Sequence, residues 1–170
     1  MTGQLSERDA DFSAYMHARQ PGLLRTAYLL TGDRHTAEDL VQVAFAKLYL
    51  SWERVRDREA LDGYVRRILV NEHNSLWRRA WKRREHATDD LPESGLHDTY
   101  DEGSDLWAAI QSLPRRTRAV IVLRYYEDLS EAEIAEALGI SRGTVKSQAS
   151  RGLGLLRERT NTTTPREEER

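Results

Sequence analysis

The C-terminal third of the chain contains hydroxyl and basic residues at a spacing that could bind nucleic acid. On a helix at about 100° per residue, the apolar side chains between Arg142 and Arg157 collect on one side. The opposite side and its edges carry Thr144, Ser147, Ser150, Arg151, Arg142 and Lys146. Hydroxyls bind phosphates or base edges, and basic side chains bind guanine or phosphate. This face therefore suits the major groove of DNA.

The residues before this helix predict a helix-turn-helix. Ser130 and Glu133 form a capping box for one short helix, and Ser141 caps the next. Gly139 lies between them and permits the sharp turn that the motif needs. A helical hairpin with a solvated basic face is the simpler alternative.

A second candidate surface lies on a long helix predicted over residues 60–84. Its polar face collects Arg67, Asn71, Asn74, Trp77, Arg78 and Trp81. Single-stranded nucleic acid fits such a face, because bases stack on aromatic rings, cations follow the phosphates, and amides bind base edges. The alternative is that Trp77 and Trp81 pack against the first helix.

An acidic segment lies between these two surfaces in the sequence. The net charge is only -2, but residues 64–84 contain seven basic residues and one acid, whereas residues 89–105 contain seven acids and no basic residue.

The chain has no cysteine, and its five histidines lack ligand spacing, so we expect no metal site and no cofactor. No apolar run is long enough to span a membrane and no secretory signal is present, which favours a cytoplasmic protein.

Helical periodicity without convincing strand alternation predicts an all-α protein of two small helical domains. The predicted parts are an N-terminal domain (1–86), an acidic flexible linker (87–103), a four-helix domain ending in the helix-turn-helix (104–159) and a disordered tail (160–170). The predicted helices are 9–30 (stopped by Gly32), one capped by Thr36 and running to Trp52, 60–84, 105–113, 115–126 and the two of the helix-turn-helix.

Three ordered blocks resemble the RNA polymerase sigma factors of bacteria. They are TAEDLVQVAFAKLYLSW at residues 36–52, DGYVRRILVNEHNSLWRR at 62–79, and LPRRTRAVIVLRYYEDLSEAEIAEALGISRGTVKSQASRGLGLLR at 113–157. The chain lacks a middle domain and so resembles the extracytoplasmic-function group. The residues around Trp77 are similar to those of actinobacterial members.

The resemblance implies a promoter-specificity subunit and its partners. Asp39, Gln42, Phe45 and Lys47 would dock on the clamp helices of the largest polymerase subunit, and the flap of the second-largest subunit would be a further contact. The implied -10 element residues are Arg67, Asn71, Asn74, Trp77 and Arg78, and the implied -35 element residues are Arg142, Thr144, Lys146, Ser147, Gln148, Ser150 and Arg151. The linker would enter the RNA exit path, and an anti-sigma factor would cover the docking surfaces, including the apolar stripe from Leu40 to Trp52.

Three departures from the family pattern and two alternative functions remain. Val43 stands where an acid is usual, Gln148 stands where arginine is frequent, and Ser150 stands where a bulky residue is frequent. The main alternative is a free-standing helix-turn-helix regulator with an N-terminal sensor or dimerisation domain. An enzyme is not expected, because the sequence has no phosphate-binding glycine loop, no metal-spaced carboxylates and no catalytic triad.

Overall fold

The computed structural model describes residues 6–86 and 104–163, and every regular element in these two ranges is helical, so the predicted all-α class is confirmed. The helices are α1 Glu7–Thr31, α2 Arg34–Ser51, α3 Arg58–His86, α4 Asp105–Gln111, α5 Arg115–Ile121, α6 Glu131–Leu138 and α7 Arg142–Thr163. The contacts divide the chain into two compact units, Met1–Asp90 and Leu91–Arg170. The predicted linker 87–103 lies outside the described residues. Residues 160–163 belong to α7 and not to the predicted tail.

The core of the first unit forms where α2 packs against both α1 and α3. The apolar stripe predicted on α2 supplies most of it: Ala37, Leu40, Val41, Ala44, Phe45 and Leu48 are all buried. Phe12 of α1 lies edge-on to Phe45, Tyr49 and Trp52, with ring centroids 6.4, 5.0 and 5.2 Å away. The stripe therefore builds this core and leaves little apolar surface for a partner.

The junction between α1 and α2 is set by two adjacent residues. Gly32 ends α1 in the left-handed conformation, with φ 71°, as predicted. The N-cap of α2 is Asp33, so the prediction of Thr36 at that position was wrong. The Asp33 carboxylate accepts from the Thr36 backbone N–H at 2.9 Å and from its hydroxyl at 2.5 Å. Aspartate caps at least as well as threonine, so the helix begins three residues before the sequence-based position.

Asp33→Ala is expected to lower the free energy of unfolding by about 0.5–2 kcal/mol at pH 7, the usual value of an N-cap. Hydrogen bonds from Thr36 hold the pKa of Asp33 below its ordinary value. Its stabilisation is thus complete above the unfolded-state pKa and lost as the pH falls through the folded-state pKa.

Urea unfolding measured from pH 7 down to below about pH 4 tests this. The difference in the free energy of unfolding between wild type and Asp33→Ala should become smaller as the pH falls. Asp33→Asn is the matched control, because asparagine caps well and does not titrate. A gap that stays constant with pH would contradict the proposed cap.

The buried side of α3 is formed by Leu61, Val65, Leu69, Val70 and His73. Tyr64 is 38% exposed, and its hydroxyl donates to Ser51 Oγ at 3.2 Å. Residues spaced four apart define the buried line of α3, and Tyr64 lies at its edge.

In the second unit, α7 packs against α4, α5 and α6. The predicted helix over residues 115–126 changes at Val122 into a π-helical turn that ends at Tyr126. There the Glu127 N–H donates to the Val122 carbonyl, five residues back. The turn leaves Tyr125 and Tyr126 exposed.

The helix-turn-helix has the predicted local structure. Ser130 and Glu133 form the capping box of α6, and Gly139 ends it in the left-handed conformation with φ 65°. The Ser141 hydroxyl accepts from the Thr144 N–H at 3.1 Å and so caps α7. Ile134 and Val145 are fully buried, which fixes the two helices against the unit's core.

Candidate nucleic-acid interface

The exposed face of α7 is the first candidate surface. Val145 and Gly152 are buried, so their side of α7 faces the interior of the second unit. The opposite side leaves five of the seven predicted -35 residues exposed: Arg142, Lys146, Ser147, Ser150 and Arg151. The face is cationic and built from short side chains near its middle, which permits close approach to a groove.

Hydrogen bonds within α7 organise the hydroxyls of this face. Thr144 is half-buried, and its hydroxyl lies 2.8 Å from that of Ser141. Ser147 donates to the Thr144 carbonyl at 3.0 Å, so its lone pairs are left to accept from a ligand. Lys146 Nζ is 4.0 Å from Glu131 Oε2 with its side chain 70% exposed, a loose pair that a phosphate could replace.

Gln148 is placed differently from the other predicted -35 residues. It is half-buried, and its Oε1 accepts a hydrogen bond from Thr117 Oγ1 of α5 at 2.5 Å. The side chain thus lies at the seam between α5 and α7, at the edge of the exposed face. One lone pair of the amide oxygen is therefore used within the protein, and the contact of Gln148 with DNA stays a prediction.

The polar face of α3 is the second candidate surface. Arg67, Asn71 and Arg78 are exposed, while Asn74 and Trp77 are half-buried. None of these five predicted -10 residues is sealed in the interior. The side chain of Trp81 lies outside the described residues. Trp77 is half-buried, so the protein covers part of its indole and the rest stays accessible.

The last turns of α3 continue this surface with positive charge. Arg78, Arg79, Lys82 and Arg83 are exposed and lie within six residues of one another. The segment carries no acidic residue to offset them. A concentration of cations next to an amide and an indole matches the arrangement that binds a flexible single strand.

The exposed side of α2 forms a third surface in the first unit. Asp39, Gln42 and Lys47 are exposed, as docking residues must be. Phe45 is not, because it is 2% exposed in the centre of the core, so the prediction that it contacts a partner was wrong.

The apolar residues that α2 does expose were missed at the sequence level. Val43 is 39% exposed and Leu50 is 78% exposed. They lie seven residues apart and so share one face of the helix, with exposed Ala46 between them. The available signal was apolar residues at heptad spacing on the otherwise polar side of α2. We call Asp39, Gln42, Val43, Ala46 and Leu50 the α2 ridge.

An ion pair joins α2 to α3. Lys47 Nζ contacts Glu72 Oε1, and the Glu72 side chain is only 14% exposed. Glu72 lies on the core side of α3, where helical periodicity predicts an apolar residue. Its charge is compensated by Lys47, which ties the two helices together. Lys47 is consequently a link within the unit as well as a predicted docking residue.

The perturbed ionisable groups lie away from these surfaces. Burial and a hydrogen bond to Asp62 raise the pKa of Tyr15, which donates to that carboxylate at 2.7 Å. A hydrogen bond from Tyr49 lowers the pKa of Asp9. Both pairs connect α1 to its neighbours and are structural. Within residues 6–86 and 104–163, no group of three or more acids or histidines could hold a metal ion. In the same two ranges, none of the helices combines the length and the hydropathy of a membrane span.

The two halves of the chain match two protein families. Residues 15–83 match Sigma-70 region 2, and residues 104–156 match Sigma-70, region 4. The first match contains the α2 ridge and the polar face of α3. The second contains α4 to α6 and most of α7.

Similar proteins cover most of the chain. It is 41% identical over 151 residues to the RNA polymerase sigma-E factor of Streptomyces coelicolor, covering 87% of this chain and 85% of that protein. It is 37% identical to the ECF RNA polymerase sigma factor SigE of Mycolicibacterium smegmatis, covering 79% of this chain and 55% of that protein.

Solved structures show the same fold. The sigma factor RpoE of Bartonella quintana, in complex with the anti-sigma factor NepR, superposes with a TM-score of 0.73 at 26% identity, covering 91% of this chain and 99% of that one. CnrH, in complex with the cytosolic domain of CnrY, superposes with a TM-score of 0.58 at 19% identity, covering 90% and 89%. With matches to both sigma-70 regions and 41% identity to a sigma-E factor, the chain belongs to the extracytoplasmic-function group of RNA polymerase sigma factors.

Proposed function

We propose that this sigma factor divides promoter recognition between its two units. The first unit docks on core RNA polymerase through the α2 ridge and holds the opened -10 strand on α3. The second unit reads the -35 duplex with α7. The observation that carries the proposal is the exposure of Arg67, Asn71 and Arg78 beside a half-buried Trp77, in the same unit as the α2 ridge.

The chemistry of the α3 face supports strand capture. A half-buried indole is held by the protein on part of its surface and can stack a base on the rest. Asn71 can bind a base edge, and Arg67 and Arg78 can follow the phosphates. An unpaired base turned out of the stack would add sequence selection after opening.

The α2 ridge supports docking on the polymerase. Val43, Ala46 and Leu50 give it an apolar centre, and Asp39 and Gln42 add polar groups at one end. An apolar centre with a polar rim is typical of protein interfaces. The ridge thus replaces the set that included buried Phe45 as the proposed contact with the clamp helices.

The full chain, purified core polymerase and a pool of genomic fragments test this function by run-off transcription. The proposal predicts start sites that share two spaced sequence elements and appear only when the sigma factor is added. Failure to bind core polymerase would favour the alternative of a free-standing helix-turn-helix regulator.

Arg151→Ala is expected to weaken holoenzyme binding to the -35 duplex about tenfold, because a basic side chain at the groove is lost. Fluorescence anisotropy with a labelled promoter duplex measures this, with core polymerase affinity measured in parallel. Arg159→Ala is the matched control, since it removes the same charge two turns further along exposed α7. Equal losses for both variants would indicate a general charge effect and not a groove contact.

A protein inhibitor is a further partner that we propose. The Bartonella quintana relative was solved with an anti-sigma factor. The α2 ridge offers exposed Leu50 and Val43 to such a protein, and its occupation would block docking on the polymerase.

The proposed place of action is the cytoplasm, where RNA polymerase transcribes. The proposed contribution of the sigma factor is binding, with neither a catalytic residue nor a cofactor of its own.

A further inference from the structure

Thr117 is a buried hydroxyl residue at the contact between α5 and α7. It is 1% exposed, so its side chain lies inside the second unit. A buried hydroxyl without a partner is unfavourable, and Thr117 meets this need by donating to Gln148 Oε1 at 2.5 Å. The contact joins residues that are 31 positions apart in the sequence.

Close packing fixes the position of this hydroxyl. Gly152 lies one turn after Gln148 on α7, and a Cβ atom there would stand 3.0 Å from Thr117 Cγ2 and 2.6 Å from Ile121 Cγ1. The helices therefore touch through the glycine, and the Thr117 side chain has little freedom to turn. Gln148 is held at the edge of the exposed face, next to exposed Ser147 and one turn before Arg151.

The hydrogen bond changes what the Gln148 amide can offer to DNA. A free glutamine binds adenine in the major groove with both atoms, since Oε1 accepts from N6 and Nε2 donates to N7. Because Thr117 uses one lone pair of Oε1 and holds this oxygen at α5, the Nε2 amide is the group that has no assigned role within the protein contact, and it donates. Its best major-groove match is guanine, whose N7 and O6 both accept.

We infer that Thr117 is a positioning residue that holds Gln148 so that its amide acts on DNA mainly as a donor, and the -35 duplex is read as guanine in preference to adenine at one base pair. The inference rests on the proposed function, because it requires α7 to lie in the -35 groove. It assigns a specificity-determining role to a residue that does not itself reach DNA.

The test uses holoenzyme and a pool of promoter duplexes with a randomised -35 element, sequenced before and after selection for binding. Wild type should favour guanine over adenine at one base pair by about threefold to tenfold, the value of one hydrogen bond. Thr117→Val keeps the shape, removes the hydroxyl and should abolish that preference while leaving the other positions unchanged. Thr117→Ser keeps the hydroxyl and should retain it.

Gln148→Ala should remove the preference at the same base pair, and adding Thr117→Val to it should change nothing further. A Thr117→Val variant that keeps the preference, or loses binding equally at all positions, would overturn the inference and leave Thr117 a packing residue. The proposed function fails separately, if wild type selects no -35 sequence or Arg151→Ala selects as wild type does. Thermal melting of each variant checks that it is folded.

Discussion

Replacing Phe45 with alanine is expected to lower the free energy of unfolding by about 3–5 kcal/mol, the range for a large buried aromatic side chain. Phe45 is 2% exposed, and its ring lies edge-on to Phe12 at 6.4 Å between centroids. Its removal leaves a cavity between α1 and α2 that the close-packed helices cannot fill. Urea unfolding of the full chain followed by circular dichroism measures the loss.

Leu50→Ala is the matched control on the same helix. Leu50 is 78% exposed, so its truncation should change stability by less than about 0.5 kcal/mol. It should instead weaken binding to core polymerase, because it removes apolar area from the α2 ridge. The opposite pattern, with Phe45→Ala stable and Leu50→Ala unfolded, would contradict the assignment of α2 to one buried and one docking side.

Gly152→Val is expected to destabilise the second unit by about 3 kcal/mol, at the upper end of the range for overpacking. The first added carbon would stand 2.6 Å from Ile121 Cγ1 and 2.7 Å from Ile121 Cδ1. Ile121 is itself buried and β-branched, so it cannot turn away without moving α5. Thermal unfolding should show a lower transition temperature, with loss of -35 duplex binding as α7 is displaced.

Gly154→Ala provides the control for this substitution. Gly154 has no atom within 4 Å of the position of an added Cβ. Alanine should therefore stabilise α7 by up to about 1 kcal/mol through helix propensity alone. Equal destabilisation by the two variants would contradict the close approach to Ile121 as the cause of the Gly152→Val loss.

Local signals predicted the helices and most of their ends. The capping box at Ser130 and Glu133 and the left-handed glycines Gly32 and Gly139 depend on residues within one turn, so the sequence was sufficient. The start of α2 was misplaced because Asp33 and Thr36 are both good caps three residues apart. Only the observed hydrogen bonds show that Asp33 accepts from Thr36.

The surroundings of Phe45, Gln148 and Glu72 depend on contacts between distant parts of the chain. Periodicity finds the apolar side of α2, but it does not show that α1 and α3 cover Phe45 and leave Leu50 outside. Likewise, a helical wheel places Gln148 near the polar face and cannot show that Thr117 reaches its oxygen. The acid at position 72 is explained in the same way, because its partner Lys47 lies on another helix and a helical wheel of α3 alone does not show it.

The α3 face is proposed to hold an opened strand, and permanganate footprinting of the -10 thymines shows whether Trp77 takes part in opening. Holoenzyme containing Trp77→Ala is compared with wild type and with Trp77→Phe, which keeps a stacking ring, after melting curves show that all three are folded. We expect Trp77→Ala to bind the -35 duplex normally but to open the -10 thymines more slowly, while Trp77→Phe opens them at a rate near wild type. Opening at the wild-type rate in Trp77→Ala would mean that the α3 face does not hold the strand through this indole.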